Sequence, residues 1–238
     1  MKAMILAAGL GTRLTPLTDK HPKALAMVNG KSLLQRNIEY LSSHGINEVI
    51  INVHHFPVQI IDSIKNNSGF GSSITISDER DTILETGGGL LKAMDFLKDS
   101  HPFVLINVDI LTDMDLSKMI NQHKASTALA TLAVTNRKTI RYFLFDDLGN
   151  LCGWKNTNTG DQKISKEASK YFDKAFSGIH VISPAIFSLI NQKGKFSMVD
   201  VYLDLARNHT ISSFEHSSSK FIDVGNPQSI VKAEKIFK

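Results

Sequence analysis

Short apolar runs of strand-forming residues alternate with longer segments of helical periodicity through the first two-thirds of the chain. The strand candidates are Ala3–Ala8, Glu48–Val53, Ser73–Ser77, Phe103–Val108 and Ala128–Val134. Helical patterns fill the intervals at Leu33–Ser43, Val58–Ile64, Leu90–Leu97 and Leu116–His123. Strand–helix alternation of this kind is typical of a mostly parallel sheet with helices on both faces. We therefore predict an α/β fold for this part of the chain.

The last third has a different pattern, which predicts a small β-rich subregion within the same domain. The expected strands are a hairpin of Tyr142–Phe145 with Leu151–Trp154, then Ala175–Ile182, Ile211–Glu215 and Lys220–Val224. Helices are expected from Pro184, at Met198–His209 and at Gln228–Phe237. The polar segment Asn156–Lys170 is predicted to be a mobile loop over a site. No linker or internal repeat divides residues 1–238, so we expect a single domain.

Composition narrows the possible functions. Of the 238 residues, 42% are hydrophobic and 21% are charged, and the formal net charge is +4. The basic residues are scattered and form no stripe with aromatics, so nucleic-acid binding is not expected. Cys152 is the only cysteine, which excludes an internal disulfide. Because no signal pattern or membrane-spanning apolar run occurs, we expect a cytoplasmic protein that does not bind membranes. The oligomeric state is left open.

The first strand runs into a glycine loop, "AAGLGTRLTPLTDKHPKAL", which suggests a phosphate site. Gly9 and Gly11 would let backbone N–H groups converge on an anion at a helix N-terminus. Leu14 replaces the third glycine of a dinucleotide-binding loop, and no Walker lysine motif follows. Arg13 and Lys23 add two cations suited to a polyphosphate, although each could also be a solvated surface charge.

Two aspartates follow apolar runs and are candidate metal ligands. Asp109 ends "VLINVD" at the carboxyl end of a strand, and Asp223 ends "SKFID". Open α/β sheets bind ligands at the carboxyl ends of their strands, and Mg²⁺ usually takes only one or two carboxylates from a protein. The alternative is that each aspartate caps the turn or helix that follows it.

A run of three glycines, Gly87 to Gly89 in "LETGGGLLKAM", opens another predicted helix. Because each glycine destabilises a helix interior by about 1 kcal/mol relative to alanine, the run suggests a close approach. A nucleotide base lying flat on Gly87 and Gly88 would explain it. A plain turn capped by Thr86 would also explain it.

These motifs together resemble the sugar-1-phosphate nucleotidyltransferase family. The matching stretches are "LAAGLGTRLTPLTDKHPKAL", "ETGGGL", "INVDIL", "FSGIHVI" and "FIDVGNP". "LETGGG" is most similar to the branch of N-acetylmuramate α-1-phosphate uridylyltransferases and mannose-1-phosphate guanylyltransferase-like proteins. No hexapeptide repeats occur, so the β-helix domain of some relatives is not expected.

The resemblance implies a Rossmann-like (GT-A-like) fold and a reaction of nucleotide-sugar and cell-wall synthesis. An NTP, either UTP or GTP, and a sugar 1-phosphate would give an NDP-sugar and pyrophosphate, with Mg²⁺ as cofactor. Residues 1–135 would form the nucleotide-binding part, and residues 136–238 would supply the sugar site and the second metal aspartate.

Site residues follow from the same resemblance. Arg13 and Lys23 would be catalytic, and Asp109 and Asp223 would bind the metal. The nucleotide-binding residues would be Ala8, Gly9, Gly11, Thr12, Arg13, Lys23, Glu85, Thr86 and Gly87. The sugar-phosphate-binding residues would be Asn107, Arg141, Lys155 and Gly178.

The chain also departs from the family pattern. Val108 stands where many members have glycine, and in "GWKN" only Lys155 matches the usual Glu-Lys-Pro stretch. Arg141 would suit an acidic sugar such as N-acetylmuramate, or it could be a solvated charge. A GTP-dependent mannose- or heptose-1-phosphate guanylyltransferase is the closest alternative. A catalytically silent regulatory subunit and a phosphocholine-activating transferase are further ones.

Overall fold

The computed structural model describes residues 1–238. Its strands are β1 (Lys2–Leu6), β2 (Met27–Val28), β3 (Lys31–Ser32), β4 (Glu48–Val53), β5 (Ser73–Asp78), β6 (Phe103–Asn107), β7 (Ile110–Thr112), β8 (Ala130–Thr135), β9 (Arg141–Phe145), β10 (Leu151–Asn156), β11 (Gln162–Ile164), β12 (Phe172–Ile182), β13 (Ile211–Glu215) and β14 (Phe221–Asp223). Its α-helices are α1 (Leu33–Ser43), α2 (Pro57–Asn66), α3 (Glu85–Lys92), α4 (Met94–Leu97), α5 (Leu116–Lys124), α6 (Met198–Leu205) and α7 (Pro227–Ile236).

One ten-stranded mixed sheet organises the molecule. Eight strands follow the order β11-β10-β9-β12-β6-β1-β4-β5, while β8 pairs with β12 and β13. The strands β6, β1, β4 and β5 are parallel, and the long strand β12 is antiparallel to β6, β8 and β9. The predicted α/β class with a mixed sheet and a β-rich subregion is therefore confirmed. The parallel half brings the carboxyl ends of β1, β4, β5 and β6 to one edge.

Strand β1 is buried on both faces, as its continuous apolar sequence predicts. Met4 and Leu6 pack in a core cluster with residues of α3 and α6, whereas Ala3 and Ile5 pack in a second cluster with α1, α2 and α5. The helices thus cover the two faces of the sheet. The rigid centre of the sheet fixes the loop that follows β1.

Side-chain caps fix the helices next to the candidate site. The Ser32 hydroxyl accepts from the Gln35 N–H at 3.0 Å at the start of α1. The side chain of Asn226 caps α7 in a reciprocal capping box with Ser229. Such caps contribute about 1 kcal/mol each. The second cap also holds the turn that follows Asp223.

Several sequence-predicted boundaries differ from the structure. The segment from Pro184 is a short 3₁₀ helix, Pro184–Ser188, and the helix predicted at Met198–His209 ends at Leu205. Segment Asn156–Lys170 is not entirely loop, because it contains β11 paired with β10. None of the helices combines the length and apolar character that a membrane crossing requires.

Candidate active site

The loop after β1 turns sharply and packs against the segment that carries Lys23. Gly11 has a left-handed backbone (φ +67°), and a Cβ there would lie 2.8 Å from Thr18 Cγ2 and 3.0 Å from Lys23 Cβ. A 3₁₀ turn, Thr12–Leu14, follows instead of the α-helix expected after this loop, and its Leu14 is fully buried. Glycine is therefore required at position 11 both for its backbone conformation and for the close contact.

Lys23 and Asp109 form an ion pair between the loop and the sheet. The Lys23 Nζ donates to Asp109 Oδ2, and both side chains are largely buried. Arg13 lies beside Asp223, because a Cβ on Gly225 would be 3.1 Å from Arg13 Nη2 and 2.9 Å from Asp223 Oδ1. Two cations and two carboxylates thus meet at one point of the molecule.

The two predicted metal aspartates are neighbours in space. Asp223 pairs with Ile110 between β14 and β7, and the Val224 N–H donates to the Asp109 carbonyl oxygen at 2.8 Å. Desolvation, and then repulsion from Asp109, raise the pKa of the Asp223 carboxyl. The positive charges of Lys23, Arg13 and Arg137 act in the opposite direction.

This donor set fits a hard divalent cation that also binds phosphate. No cluster of three or more His, Cys, Asp or Glu side chains could hold a metal by itself. Two adjacent carboxylates match the one or two protein ligands that Mg²⁺ usually takes when phosphate oxygens complete its shell. Asp109 and Asp223 are the residues that would hold it.

A cavity of about 480 Å³ opens over these groups at the carboxyl edge of the parallel strands. It is lined by most of the residues predicted to bind the nucleotide, which are Ala8, Gly9, Gly11, Thr12, Arg13, Lys23, Glu85 and Thr86. Asp109 of the predicted metal pair and Asn107 of the predicted sugar site line it as well. The volume is within the range of small-molecule sites. Residues that were predicted from separate motifs therefore line the same cavity.

A second cavity of about 250 Å³ adjoins the first on the β-rich side. It contains Asn107, Arg141, Gly178 and Asp223, and Asn107 lines both cavities. Gly178 has φ +73°, and a Cβ there would lie 2.8 Å from Asn107 Nδ2. The glycine thus allows Asn107 to sit at the junction.

Two predicted site residues lie outside these cavities. Lys155 forms an ion pair with Asp173 at 2.5 Å and does not line the second cavity. Gly87 is buried, and a Cβ on it would lie 2.4 Å from the ring of Phe196. The segment Asn156–Lys170, predicted to be a mobile loop over a site, lines neither cavity.

At each of the three glycines of α3, the absence of a Cβ allows a different group to pack closely. Gly87 faces Phe196, Gly88 would place a Cβ 2.2 Å from the Gly194 carbonyl oxygen, and Gly89 would place one 2.8 Å from Glu79 Oε1. Protein therefore covers Gly87 and Gly88, where the sequence suggested an open platform for a base. The close approach inferred from the sequence exists, but it is made by the protein itself.

A comparison with protein families decides the classification. The model of the family described as nucleotidyl transferase matches residues 2–143. The chain belongs to the nucleotidyl transferase family.

Full-length relatives support this assignment. The chain is 31% identical to the N-acetylmuramate alpha-1-phosphate uridylyltransferase of Caulobacter vibrioides, over 98% of this chain and 95% of that protein. It is 27% identical to the mannose-1-phosphate guanyltransferase of Yarrowia lipolytica over its whole length, but it spans only 64% of that relative.

Solved structures share the fold of this chain. HddC from Yersinia pseudotuberculosis superposes with a TM-score of 0.80 at 25% identity, covering 100% of this chain and 99% of that one. A glucose-1-phosphate thymidylyltransferase described as putative, from Bacillus anthracis, has a TM-score of 0.83 over 99% of this chain and 94% of that one. Its 19% identity supports the fold alone.

Several residues that line the cavities were not predicted from the sequence. Arg137 lines the second cavity, donates to the carbonyl oxygens of Ala175 and Phe176, and lies 4.6 Å from the ring centre of Phe221. Asn52 and Glu79 line the first cavity although both are almost fully buried. A polar residue inside the apolar run "VIINV" was the available signal for Asn52; nothing distinguished Glu79 within "SDERD".

Lys195 was missed as well, and it forms part of the cavity mouth. Its Nζ lies 3.5 Å from Glu85 Oε1, and both side chains are solvent-accessible. Glu85 has a left-handed backbone (φ +58°), a conformation that costs a side-chain-bearing residue about 1–2 kcal/mol. Glu85 also lines this cavity.

Proposed function

We propose that this protein transfers a nucleotidyl group from an NTP to a sugar 1-phosphate and releases pyrophosphate. The observation that carries the proposal is the junction of the two cavities, where Arg13, Lys23, Asp109 and Asp223 converge. The larger cavity accommodates the nucleotide and the smaller one the sugar. Residues 1–135 supply most of the first cavity, and residues 136–238 supply most of the second.

The reaction is an in-line displacement at the α-phosphorus. A phosphate oxygen of the sugar 1-phosphate forms a bond to the α-phosphorus, the bond from that phosphorus to the bridging oxygen of the β-phosphate breaks, and pyrophosphate leaves. Positioning and charge stabilisation carry such a displacement, and no covalent enzyme intermediate is required.

The residues of the chain divide this work. Thr12 and the backbone of Gly11 bind the terminal phosphates, and Arg13 stabilises the charge on the departing pyrophosphate. Lys23, which contacts Asp109, neutralises the negative charge of the α-phosphate and of the incoming sugar phosphate. Asn107 orients the sugar phosphate beside Gly178. Mg²⁺ held by Asp109 and Asp223 would supply Lewis-acid polarisation of the phosphate oxygens.

For the substrates, we propose UTP with N-acetylmuramate 1-phosphate or a related acidic sugar. The Caulobacter relative carries that activity in its name and aligns over nearly the whole of both chains. Arg137 and Arg141 both line the smaller cavity, where guanidinium groups can bind a carboxylate. GTP with mannose or heptose 1-phosphate is the second candidate, and the Yarrowia relative supports the guanylyl version.

A pyrophosphate-release screen tests the proposal. The four NTPs are paired with N-acetylmuramate, mannose, glucose and heptose 1-phosphates, with and without Mg²⁺. We expect release only when Mg²⁺, one NTP and one sugar 1-phosphate are all present. Asp109→Asn should lower turnover by several orders of magnitude while the exposed-site control Asp99→Asn does not. Nucleotide binding without turnover on any sugar would indicate a regulatory subunit instead.

A further inference from the structure

Ser177 and His216 form a buried hydrogen-bonded pair beside the smaller cavity. Ser177 lies in the irregular part of β12, where the pairing with β8 shifts between Phe176 and His180, and it lines that cavity. The Ser177 Oγ and the His216 Nε2 are 2.8 Å apart, and only 1% of Ser177 and 3% of His216 are exposed. The backbone N–H of His216 donates to the carbonyl oxygen of Val134, which anchors His216 to β8.

The surroundings of the His216 ring indicate which of its nitrogens carries the hydrogen. Burial, and then the positive charge of Arg137, lower the pKa of His216 to about 4, so at pH 7 the ring is neutral and has a single N–H. Its Nδ1 is buried and has no partner, so a hydrogen there would be a buried donor without an acceptor. The Nε2–H form is also the more stable form of free neutral histidine. Both facts favour the hydrogen on Nε2, from which it is donated to Ser177 Oγ.

This choice decides what the Ser177 hydroxyl can offer a ligand. With His216 as the donor, the Ser177 hydrogen is not used within the protein, because Ser177 Oγ makes no other hydrogen bond. With the hydrogen on Nδ1, Ser177 would donate to His216 and could only accept from a ligand. The Tyr142 hydroxyl of the same cavity has its hydrogen free in the same way, since it accepts the Thr139 N–H at 3.0 Å and has no acceptor of its own.

Other side chains of the smaller cavity are donors as well. Arg137, Arg141 and Trp154 line it, and guanidinium and indole groups can only donate. The single carboxylate there is Asp223, which is the expected metal ligand. Acyl carbonyl and carboxylate oxygens can only accept, and hydrogen bonds to a carboxylate are about twice as strong as neutral ones. The cavity therefore favours a sugar substituent that only accepts hydrogen bonds.

We propose that His216 is a positioning residue that holds the Ser177 hydroxyl as a donor, and that Ser177 thereby selects a sugar 1-phosphate bearing an acyl carbonyl or a carboxylate. A sugar with a hydroxyl at the same place gains less, because a hydroxyl oxygen is a weaker acceptor than an amide or carboxylate oxygen. The inference rests on the proposed function for the identity of the ligand as a sugar 1-phosphate, and it names the substituent that the site recognises.

Ser177→Ala and His216→Leu test the proposal by removing the donor and the group that orients it. The values of kcat/KM are compared for N-acetylmuramate, N-acetylglucosamine and glucose 1-phosphates. The first sugar carries an acyl group and a carboxylate, the second an acyl group alone, and the third neither. The wild type should favour the first or the first two over glucose 1-phosphate. Both variants should reduce this preference on the order of tenfold through the KM for the sugar 1-phosphate, with the KM for the NTP unchanged.

Two glutamine variants are the matched controls. Glutamine at position 216 places an amide N–H near the position of the imidazole Nε2, so His216→Gln should keep the preference of the wild type. His123 is also buried, with its Nδ1 2.9 Å from the Thr131 hydroxyl, but it lines neither cavity, so His123→Gln should leave the preference unchanged. An unchanged preference in folded Ser177→Ala, an equal loss in His123→Gln, or a loss in His216→Gln as large as in His216→Leu overturns the proposal.

Two measurements on the wild type stand even if the variants do not fold. Nuclear magnetic resonance of protein labelled with ¹⁵N in histidine reports which ring nitrogen is protonated, and the His216 signals are identified by their proximity to the Phe221 ring, whose centre is 5.7 Å away. At pH 7, Nε2 of His216 should be protonated and Nδ1 should not be. Protonation on Nδ1, or equal kcat/KM for the three sugar phosphates, overturns the proposal.

Calorimetric binding of the same sugar 1-phosphates separates this proposal from the proposed function. The titrations contain Mg²⁺ and the α,β-methylene analogue of the preferred NTP, which cannot release pyrophosphate. Transfer with wild-type discrimination in Ser177→Ala refutes the role of Ser177 alone. Binding that is selective for acyl or acidic sugars and is weakened in Ser177→Ala, without transfer by the wild type, refutes the proposed function alone. Absence of binding by every sugar 1-phosphate refutes both.

Discussion

Lys23 and Asp109 form an ion pair that joins the loop after β1 to the end of β6, between residues 86 positions apart in the chain. Asp223 stands next to this pair through the pairing of β14 with β7, and Arg13 lies beside Asp223. The charges therefore balance before any ligand binds. A triphosphate and a divalent cation would enter a site that already contains compensating groups of both signs.

Lys23→Met should lower kcat on the order of 100-fold, because the α-phosphate loses the cation that neutralises it. Because the Lys23 and Asp109 side chains are both largely buried, the variant leaves the Asp109 carboxylate without its partner, so its kcat is compared only after circular dichroism shows that it is folded. Steady-state pyrophosphate release measures the effect, and Lys20→Met, at an exposed position nearby, is the control. A kcat within threefold of the wild type would remove Lys23 from the catalytic groups.

Gly178→Ala should raise the KM for the sugar 1-phosphate at least tenfold while leaving the KM for the NTP nearly unchanged. The added Cβ would lie 2.8 Å from Asn107 Nδ2 and displace the side chain at the junction of the cavities. Gly160→Ala is a matched control, because Gly160 has a similar backbone (φ +80°) with no atom within 4 Å of the added Cβ. Both variants should lose about 1–2 kcal/mol of stability from backbone strain. Equal KM values in the two variants would show that Asn107 does not orient the sugar.

Arg137→Lys should weaken sugar 1-phosphate binding more than nucleotide binding, even though the positive charge is kept. The guanidinium donates to the carbonyl oxygens of Ala175 and Phe176, just before the irregular part of β12 that contains Gly178. A single ammonium group cannot reproduce this fork. Separate KM values for the two substrates measure the effect, and the exposed Lys138→Arg is the control. A larger effect on the NTP would contradict the assignment of the smaller cavity to the sugar.

Stability should fall in acid because a buried histidine must remain neutral in the folded protein. His180 is buried with its Nδ1 2.6 Å from the Tyr202 hydroxyl, and burial lowers the pKa of His180 to about 3. The unfolded chain binds a proton at this residue below pH of about 6.5, whereas the folded chain does so only near pH 3. As the pH falls from about 6.5 to about 3, His180 therefore lowers the free energy of unfolding by about 1.4 kcal/mol per pH unit.

Urea unfolding of the wild type and of His180→Gln between pH 7 and pH 4 measures this contribution. Glutamine retains a hydrogen-bonding group near Tyr202 but does not titrate, so the variant should show a shallower dependence on pH. The exposed His209→Gln should keep the dependence of the wild type. Identical slopes in all three proteins would show that His180 does not stay neutral on folding.

Local sequence patterns predicted the elements that have a strong period or a strong turn signal. The strands around Met4, Ile50 and Leu105 are apolar on both faces, and the helix from Leu33 to Ser43 has its predicted bounds because serine caps it. The 3₁₀ turn at Thr12–Leu14 and the strand Gln162–Ile164 were not predicted. Both depend on tertiary contacts, the first on Thr18 and Lys23 and the second on pairing with β10.

The grouping of Arg13, Lys23 and Asp109 around one cavity could be anticipated because these residues lie in motifs at strand ends. The presence of Asn52 and Glu79 in the same cavity could not be anticipated, because it depends on the register of β4 and β5 and on the room that Gly89 leaves. Likewise, the local sequence "NRK" indicates only a surface charge at Arg137, whereas in the structure its guanidinium donates to carbonyl oxygens of β12. Lys155 matched the family motif, but in the structure its ammonium group forms an ion pair with Asp173 of β12.

The fate of the α-phosphate tests the central claim most directly. The protein is incubated with Mg²⁺, a sugar 1-phosphate and the preferred NTP, labelled with ³²P in one reaction at the α-position and in a second at the γ-position. The account predicts that the α-label appears in an NDP-sugar and the γ-label in pyrophosphate. Transfer of the γ-label to the sugar phosphate, or its release as inorganic phosphate, would contradict nucleotidyl transfer.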